Sequence, residues 1–343
     1  MRAAVFHAAH RPLDVMELPT PRAGAGEALI QVAGCGLCHT DLHYVDHGVE
    51  TFKKPPLILG HEIAGTITAL GPPTNGESAR AVGDRVLIPS VLSCGHCEFC
   101  RAGRENLCAH LTMLGNNIDG GYAEYVVVPA GDLIAVPDGM PLSQACVIAD
   151  ALSTPYHAVK RRARVRVGDT VAVVGCGGVG LNLVQCAAVS GAHVIAIDVN
   201  EQRLETARTL GAAQTVNPAT AQRVDKVVRT LTDGGVDVAF EAIGTPKTIE
   251  LAFSLLKRGG RLCVVGYSAE PVTLSAARLM YYELEIVGSL GCGAGEYPEI
   301  IALVREGKLR LDPIVSGTLP LTDINEGLER LRQGQGVRWV VTP

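Results

Sequence analysis

The first part of the chain contains short apolar runs that are broken by glycine and proline. Between Glu27 and about Pro137 four such runs stand out: EALIQVAGCG, EIAGTITALG, DRVLIPSVL and YAEYVVVP. Short apolar runs bounded by turn residues are typical of β-strands. The pattern therefore predicts a β-rich and irregular first domain.

From Val165 onward the pattern changes to apolar strands that alternate with helical segments. A strand, a glycine-rich turn, a helix and a second strand follow one another in DTVAVVGCGGVGLNLVQCAAVSGAHVIAIDVN, and similar units occur in ETARTLGAAQTVN, VDVAFEAIG and TIELAFSLLKRGGRLCVVGY. Such alternation builds a parallel sheet through right-handed crossovers. The predicted fold class is α/β, with a doubly wound parallel sheet following the β-rich domain.

The last segment begins after about Gly291 and combines a helical pattern, EYPEIIALVREGKL, with a terminal strand in GLERLRQGQGVRWVVTP. We expect it to return to the first domain. The predicted domains are residues 1–152, residues 153–292 and, as the returning segment, residues 293–343.

Composition supports two domains and narrows the class of partner. The chain has 343 residues, more than one hydrophobic core usually serves, and 47% of them are hydrophobic. A net charge of −5 disfavours nucleic acid or an anionic membrane surface as the main partner, so small molecules are expected. We expect a cytoplasmic protein, because no export signal or run of about 18 apolar residues is present.

A glycine-rich turn carries the clearest binding signal. Gly175, Gly177 and Gly180 form G-x-G-x-x-G between the strand TVAVV and the helix LNLVQCAAV, with Gly178 and Val179 inside the same turn. These glycines allow a tight turn and the close approach of a pyrophosphate to a helix N-terminus. The alternative, a turn that binds nothing, is disfavoured by this strand-to-helix context.

Asp198 indicates which dinucleotide the turn binds. It closes the next strand a little over 20 residues after Gly175. An acid at this place hydrogen-bonds the ribose 2′-hydroxyl and repels a 2′-phosphate, which favours NAD over NADP. Arg203, five residues after Asp198, is a residue type that could bind the 2′-phosphate of NADP. A single arginine at this place is instead expected near the adenosine ribose or in solvent.

Four cysteines are clustered in CGHCEFCRAGRENLC, within a lobe at about residues 94–110. They are Cys94, Cys97, Cys100 and Cys108. Clustered cysteines in a reducing compartment more often bind metal than form disulfides. Four thiolates suit one tetrahedral structural zinc with no open coordination position. An iron–sulfur cluster or four unrelated core cysteines are the alternatives.

A second set of possible metal ligands is scattered along the chain. Cys38 lies in GCGLCHTDLH, His61 and Glu62 lie in LGHEIAG, and Asp150 follows an apolar run in CVIADALSTPYHAVK. A catalytic zinc needs three protein ligands and an open fourth position. A buried carboxylate such as that of Asp150 needs a charge partner, a metal or a proton. From the residues alone, a buried thiol and a surface histidine explain Cys38 and His61 equally well.

The order of these motifs carries a resemblance. GLCHTDLH, GHE, the four-cysteine lobe, GCGGVG and the terminal VRWVVTP together resemble the zinc-dependent medium-chain alcohol dehydrogenases over essentially the whole chain. The resemblance implies a GroES-like catalytic domain split around a Rossmann domain, with a catalytic zinc in the cleft. It further implies NAD and two zinc ions per chain, hydride transfer from an alcohol carbon, and a homotetramer or dimer.

The resemblance also assigns roles to residues. Cys38 and His61 match two catalytic zinc ligands, and Glu62 matches the glutamate near the metal. Thr40 matches the hydroxyl that hydrogen-bonds the substrate oxygen. The proton then leaves through the nicotinamide ribose hydroxyl and His43.

Further positions follow from the same resemblance. Asp41 matches the acid that orients the ligand histidine, while His39 and Arg338 match residues near the cofactor phosphates. The remaining cofactor-binding positions implied are Thr154, Ile243, Val265, Tyr267 and Gly291. The substrate-pocket positions implied are Ser90 and Leu114. Because Ser90 stands where many members carry an aromatic wall, the resemblance implies a wider, more polar pocket that disfavours ethanol.

The third zinc ligand departs from the family pattern. It is usually a cysteine four residues before a cofactor-contacting threonine, and here Thr154 is preceded at that spacing by Asp150. A carboxylate still binds zinc, either directly or through water, but it is a harder ligand than a thiolate. Cys146 lies four residues too early, and Cys35 is a reserve candidate.

One subgroup of the family shares this aspartate. ADALSTPY, KPPLILGHEI and LSAARLMYYELEIVGSLGC resemble the 6-hydroxycyclohex-1-ene-1-carbonyl-CoA dehydrogenases. This likeness implies the oxidation of a secondary alcohol, cyclic or CoA-linked, to a ketone. The alternatives are a reductase of a conjugated C=C bond, a polyol dehydrogenase and a non-catalytic NAD-binding protein, and the intact Thr40 and His43 pair favours alcohol chemistry.

Overall fold

The chain divides into two compact units. The computed structural model describes residues 1–74, 80–221 and 223–343. The first unit comprises Met1–Ser153, Gly291–Arg305 and Leu311–Pro343, and the second comprises Thr154–Leu290 and Glu306–Arg310.

The strands, in chain order, are β1 (Arg2–Phe6), β2 (Asp14–Glu17), β3 (Glu27–Gly36), β4 (Leu57–Ile58), β5 (Glu62–Leu70), β6 (Arg85–Ile88), β7 (Val91–Leu92), β8 (Thr112–Met113), β9 (Tyr125–Pro129), β10 (Ile134–Ala135), β11 (Thr170–Val174), β12 (His193–Ile197), β13 (Ala212–Val216), β14 (Val236–Glu241), β15 (Leu256–Val264), β16 (Glu285–Gly288), β17 (Val315–Pro320) and β18 (Arg338–Thr342). Most of the strands before β11 are short, as the frequent glycine and proline residues of this part predict.

The α-helices are α1 (His39–Val45), α2 (Glu98–Arg101), α3 (Leu142–Ala145), α4 (Ser153–His157), α5 (Gly178–Val189), α6 (Glu201–Thr209), α7 (Val224–Leu231), α8 (Pro246–Ser254), α9 (Ala276–Tyr281), α10 (Tyr297–Arg305) and α11 (Ile324–Arg332). A π-helical turn at Ala158–Arg162 follows α4. Short 3₁₀ turns occur at Glu105–Leu107, Ala130–Asp132, Cys146–Ala149, Ala294–Glu296 and Leu321–Asp323. Among the described residues, no helix has the length and apolar character that crossing a membrane requires.

The second unit is built on a sheet of six parallel strands. Their order is β13-β12-β11-β14-β15-β16. Numbered within the unit this is 3-2-1-4-5-6, the doubly wound order of dinucleotide-binding folds. Its inner strands are apolar on both faces, because helices cover a parallel sheet on both sides. The predicted α/β class with a parallel sheet is confirmed.

The first unit is β-rich, as predicted, and its main sheet has seven strands. They follow the order β10-β6-β5-β3-β18-β17, with β9 also paired to β3. Its core includes large, fully buried side chains such as Tyr122, Ile30 and Ile63.

The register of three central strands brings distant residues to one edge of this sheet. β3 ends at Gly36, which lies opposite Glu62 at the start of the antiparallel strand β5. On its other side Gly36 lies opposite Val340, two residues after β18 begins at Arg338. The chain therefore leaves β3 towards Cys38 at the edge where β5 and β18 begin.

Candidate active site and metal centres

The four-cysteine lobe has the geometry of a tetrahedral metal site. The Sγ atom of Cys97 lies 3.4 Å from that of Cys100 and 3.8 Å from that of Cys108, and Cys94 Sγ lies 3.9 Å from Cys100 Sγ. Four thiolates that bind one zinc ion at about 2.3 Å stand about 3.8 Å apart. The lobe therefore fits the structural zinc that its spacing predicts.

Backbone amides stabilise the thiolates of this lobe. The N–H of Cys97 donates to Cys94 Sγ at 3.4 Å, and the N–H groups of Cys94 and His110 donate to Cys108 Sγ at 3.3 Å each. Hydrogen bonds from backbone N–H groups, that of Cys100 above all, lower the pKa of Cys97 to about 6. Because the thiolate is the form that binds metal, this favours zinc binding at Cys97, whereas burial and the neighbouring thiols raise the pKa of Cys100 to about 11.

The scattered candidates meet in a second cluster. Ligand atoms of Cys38, His61, Glu62 and Asp150 all lie within 4.8 Å of one another. Asp150 Oδ2 lies 3.6 Å from His61 Nε2 and 3.9 Å from Cys38 Sγ. Ligands of a tetrahedral zinc with these donor types stand about 3.3–3.8 Å apart. The Asp150–His61 distance lies in this range and the Asp150–Cys38 distance just above it, so one ion can reach all three residues.

Unpaired polar atoms in the second cluster also fit a metal. His61 Nε2 and Glu62 Oε2 are buried and have no hydrogen-bond partner within the part of the chain that the structure describes. Leaving such an atom unpaired costs about 1–3 kcal/mol, and a bound cation removes that cost. The donor set of sulfur, nitrogen and carboxylate oxygen suits zinc.

Asp41 fixes the position of Cys38, a role that the sequence did not indicate. Its Oδ2 accepts hydrogen bonds from the backbone N–H of Cys38 at 3.0 Å and from the hydroxyl of Tyr122 at 2.7 Å. Its Oδ1 lies 3.8 Å from His61 Nδ1, beyond hydrogen-bond distance. The predicted orientation of His61 by Asp41 is thus supported by proximity only, and Tyr122 is an additional residue of the site.

Glu62 occupies space that a glycine provides. A Cβ atom on Gly36 would lie 2.0 Å from Glu62 Oε2, so only glycine fits opposite this carboxylate. Oε1 accepts a hydrogen bond from the N–H of Ala151 at 3.1 Å and lies 3.5 Å from Arg338 Nη2. Burial raises the pKa of Glu62 well above its usual value, although Arg338 opposes this effect.

Arg338 is buried at the first residue of β18. Its Nη1 donates to the carbonyl of Leu37 at 2.7 Å, and its ion pair with Glu62 neutralises part of the negative charge of the cluster. The contact to the cofactor phosphates that the resemblance implies for Arg338 stays a prediction.

The turn that carries Asp150 is held by two hydroxyl groups. Cys146–Ala149 is a fully buried 3₁₀ turn. The carbonyl of Ala149 accepts hydrogen bonds from Tyr297 Oη at 2.8 Å and from Ser153 Oγ at 3.0 Å. Tyr297 lies far along the sequence, which is why no local pattern could reveal it.

The predicted relay residues lie on α1, directly after Cys38. Thr40 Oγ1 lies 3.6 Å from Cys38 Sγ. His43 is half-buried and meets the ring of His47 edge-on at a centroid distance of 5.4 Å, and His39 is exposed. Burial, together with His47, lowers the pKa of His43.

The predicted pocket residues Ser90 and Leu114 are both buried, and the N–H of Leu114 donates to the carbonyl of Ser90 at 3.3 Å.

In the second unit the glycine-rich turn is as tight as its sequence predicts. Gly175 has a φ of +92°, and a Cβ atom there would lie 2.4 Å from Ile243 Cγ1. A Cβ atom on Gly180 would lie 1.7 Å from the carbonyl oxygen of Gly175. Gly177 is the N-cap of α5, which begins at Gly178.

Asp198 directly follows β12, and backbone amides hold its carboxylate. Oδ2 accepts from the N–H of Cys176 at 2.7 Å, and Oδ1 accepts from the N–H of Asn200 at 2.8 Å. The N–H of Arg203, in the first turn of α6, donates to the side chain of Asn200 at 3.1 Å, and Asn200 is the N-cap of that helix. The carboxylate of Asp198 thus connects the end of β12 to the glycine-rich turn through the N–H of Cys176.

The remaining predicted cofactor positions are distributed over both units. Ile243 and Tyr267 of the second unit expose half or more of their side chains, Thr154 is buried, and the N–H of Val265 donates to the carbonyl of Glu241 at 2.9 Å. Gly291 begins a segment of the first unit and has a φ of +51°.

Comparisons with known proteins agree with this geometry. Residues 24–138 match the alcohol dehydrogenase GroES-like domain, and residues 178–306 match the zinc-binding dehydrogenase domain. An alcohol dehydrogenase of Geobacillus stearothermophilus is 35% identical over 98% of this chain and 97% of its own length. A sorbitol dehydrogenase of Bacillus subtilis is 32% identical over 97% of this chain and 94% of its own length. The solved alcohol dehydrogenase of Aeropyrum pernix is 36% identical, with both chains covered to 100% and a TM-score of 0.91.

The chain belongs to the zinc-containing medium-chain alcohol dehydrogenase family. It is an NAD-dependent enzyme of that family, with a GroES-like domain and a Rossmann-type domain. The predicted cofactors, zinc and NAD, are confirmed by the two ligand clusters together with the membership. The membership favours zinc over an iron–sulfur cluster and an enzyme over a non-catalytic binding protein.

Proposed function

We propose that this enzyme oxidises a secondary, cyclic alcohol to its ketone with NAD, and that the alcohol is linked to coenzyme A. The observation that carries the proposal is the aspartate at the third ligand position, within the segment ADALSTPY. The same segment resembles the 6-hydroxycyclohex-1-ene-1-carbonyl-CoA dehydrogenases. The buried Ser90, in place of a bulky aromatic wall, supports a pocket that admits a ring.

Cys38, His61 and Asp150 are the proposed ligands of the catalytic zinc. The distances of Asp150 Oδ2 to the sulfur of Cys38 and to Nε2 of His61 support this set. Glu62 is the weaker candidate, because its Oε1 already accepts from Ala151 and faces Arg338. When bound, zinc supplies a Lewis acid that favours loss of the alcohol proton.

Side chains of α1 move that proton. The hydroxyl of Thr40 would accept a hydrogen bond from the substrate hydroxyl, take up its proton and give up its own. His43 receives it at a ring nitrogen and releases it to solvent. Because the pKa of His43 is lowered, its imidazole is neutral at pH 7 and can accept a proton.

The second unit holds most of NAD. The turn that contains Gly177 and Gly180 admits the pyrophosphate, and Asp198 binds the ribose 2′-hydroxyl. Arg203 would lie near the adenosine ribose, and His39 and Arg338 would act near the phosphates. Backbone groups around Val265, Tyr267 and Gly291 would hold the nicotinamide carboxamide, and Thr154 and Ile243 would also contact the cofactor. The proposed assembly is a homotetramer or dimer.

A substrate panel tests the proposal. It comprises cyclic hydroxyacyl-CoA thioesters, the same cyclic hydroxy acids without CoA, polyols, ethanol and a conjugated enone, each assayed with NAD and with NADP. We expect the highest kcat/KM with a cyclic hydroxyacyl-CoA and NAD. A higher value with polyols or with the enone contradicts the substrate class, and equal rates with NADP contradict the role of Asp198.

A polyol dehydrogenase is the second candidate. It is favoured by the carboxylate in the ligand set and by the similarity to the sorbitol dehydrogenase of Bacillus subtilis. The enone reductase is less well supported, since Thr40 and His43 provide a proton path that alcohol oxidation requires.

A further inference from the structure

One buried carboxylate of the second unit has no part in the chemistry described above. Glu241 is the last residue of β14, and its side chain is fully buried. We infer that Glu241 is a positioning residue that sets the shape of the nicotinamide side of the cofactor site. The inference rests on the proposed cofactor contacts of Ile243, Val265 and Tyr267.

Three donors converge on a single oxygen of this carboxylate. Glu241 Oε1 accepts from the N–H of Ile243 at 2.9 Å, the N–H of Gly244 at 2.8 Å and the hydroxyl of Thr248 at 2.7 Å. Hydrogen bonds to an ionised acceptor are about twice as strong as neutral ones. The carboxylate therefore fixes the turn between β14 and α8.

The backbone of Glu241 fixes a second segment. Its carbonyl oxygen accepts from the N–H of Val265 at 2.9 Å and from the N–H of Gly266 at 3.0 Å, directly after β15. One residue thus holds both segments that carry Ile243, Val265 and Tyr267.

The two segments are packed without spare space. A Cβ atom on Gly266 would lie 2.8 Å from Glu241 Oε2, and one on Gly244, which has a φ of +87°, would lie 2.0 Å from the carbonyl oxygen of Tyr267. A shift of the Glu241 carboxylate therefore moves Ile243 and the segment after β15 together.

The other carboxylate oxygen indicates that stability alone does not explain the residue. Glu241 Oε2 is buried and lacks a hydrogen-bond partner among the described residues. An unpaired carboxylate oxygen in the interior is unfavourable. The need to hold the backbone of the adjacent cofactor site in one conformation accounts for a carboxylate at position 241 in spite of this cost.

The inference predicts a selective loss of affinity. The adenosine half of NAD is assigned to Asp198, whose carboxylate is held by Cys176 and Asn200 and not by the turn of Glu241. Removing the Glu241 carboxylate should therefore weaken the binding of NADH much more than that of ADP-ribose, which lacks the nicotinamide.

The test compares Glu241→Ala, Glu241→Gln and Asp237→Ala in the full chain, with Kd values from NADH fluorescence and from calorimetry with ADP-ribose. For Glu241→Ala we expect Kd for NADH to rise about tenfold or more and Kd for ADP-ribose to change by less than about twofold. Glu241→Gln should recover most of the affinity, because its amide oxygen accepts the same three hydrogen bonds.

Asp237 is the matched control. It lies near the other end of β14 and also accepts a backbone N–H, from Thr170 at 2.9 Å, besides its ion pair with Lys257 at 2.7 Å. Asp237→Ala should leave both Kd values unchanged.

Two results overturn the inference: an unchanged Kd for NADH in Glu241→Ala, or equal losses for NADH and ADP-ribose. If Glu241→Ala does not fold, Thr248→Val replaces it, since this variant removes one of the three donors to Glu241 Oε1. Its Kd for NADH should rise more than its Kd for ADP-ribose, and equal changes overturn the inference. Failure of the unmodified enzyme to bind NADH contradicts the proposed cofactor site instead.

Discussion

The two metal-ligating clusters of this enzyme are built in different ways. The lobe takes all four sulfurs from residues 94–108, and two of its cysteines are partly exposed. The catalytic cluster joins Cys38 to Asp150, 112 residues later, and depends on the register of β3, β5 and β18. A local loop suffices for the first site, whereas the second requires the whole first unit to be folded.

Their surroundings differ as well. In the lobe, backbone N–H groups donate to the sulfurs of Cys94 and Cys108. The catalytic cluster contains the buried carboxyl group of Glu62, which forms an ion pair with the buried Arg338, and the buried Asp41 lies beside His61. We therefore expect loss of a ligand to affect chiefly stability in the lobe and chiefly catalysis in the cluster.

Asp150→Ala should have the largest effect on activity. Removing the third ligand should reduce the zinc content from two ions per chain to one and lower kcat/KM more than about 100-fold, while the melting temperature changes little. Zinc is measured by mass spectrometry of the purified enzyme. The matched control is Asp150→Cys, which restores a thiolate and should keep both ions. Full activity of Asp150→Ala contradicts the ligand role.

Cys108→Ser should have the converse effect. Cys108 accepts two backbone N–H groups in addition to its place in the lobe. Its loss should remove the structural zinc and lower the melting temperature by about 10 °C, the shift that several kcal/mol produce in a chain of this size. Cys186→Ser, at a buried cysteine of α5 outside both clusters, is the control and should keep two ions. An unchanged melting temperature for Cys108→Ser would contradict a structural role for the zinc of the lobe.

Glu62→Gln should have the smallest effect and separates the two carboxylates of the catalytic cluster. The amide oxygen of glutamine still accepts from Ala151, but Arg338 loses its charge partner. We expect two zinc ions to be retained and kcat to fall about tenfold. If Glu62→Gln loses one zinc ion, Glu62 is the third ligand of the catalytic zinc and the assignment of Asp150 is wrong.

Local patterns predicted much of the fold. The strand of β11, the glycine-rich turn and α5 follow each other in the sequence as they do in the structure, because each depends on neighbouring residues. The lobe was predictable for the same reason, since its four cysteines share one loop. Cys38, His61 and Asp150 became candidates only through their order along the chain, because their meeting depends on long-range strand register.

The residues that the sequence did not reveal all act across large separations. Tyr122 fixes Asp41, and Tyr297 holds the turn before Asp150, from 81 and 148 residues away. Glu241 is near in sequence to Ile243, but its contact with the segment after β15 depends on the pairing of β14 with β15. Hydrogen bonds of this kind leave no periodic or spacing signal.

The most direct test of the account is X-ray absorption spectroscopy at the zinc edge of the fully loaded enzyme. The central claim is that Cys38 is the single thiolate of the catalytic site, so five thiolates are shared between two zinc ions. We expect an average of about 2.5 sulfur ligands per zinc, five on two ions, together with nitrogen and oxygen at about 2.0–2.2 Å. Asp150→Ala should then show four sulfur ligands on its remaining ion. A sixth thiolate in the unmodified enzyme, from Cys35 or Cys146, would contradict the assignment of Asp150.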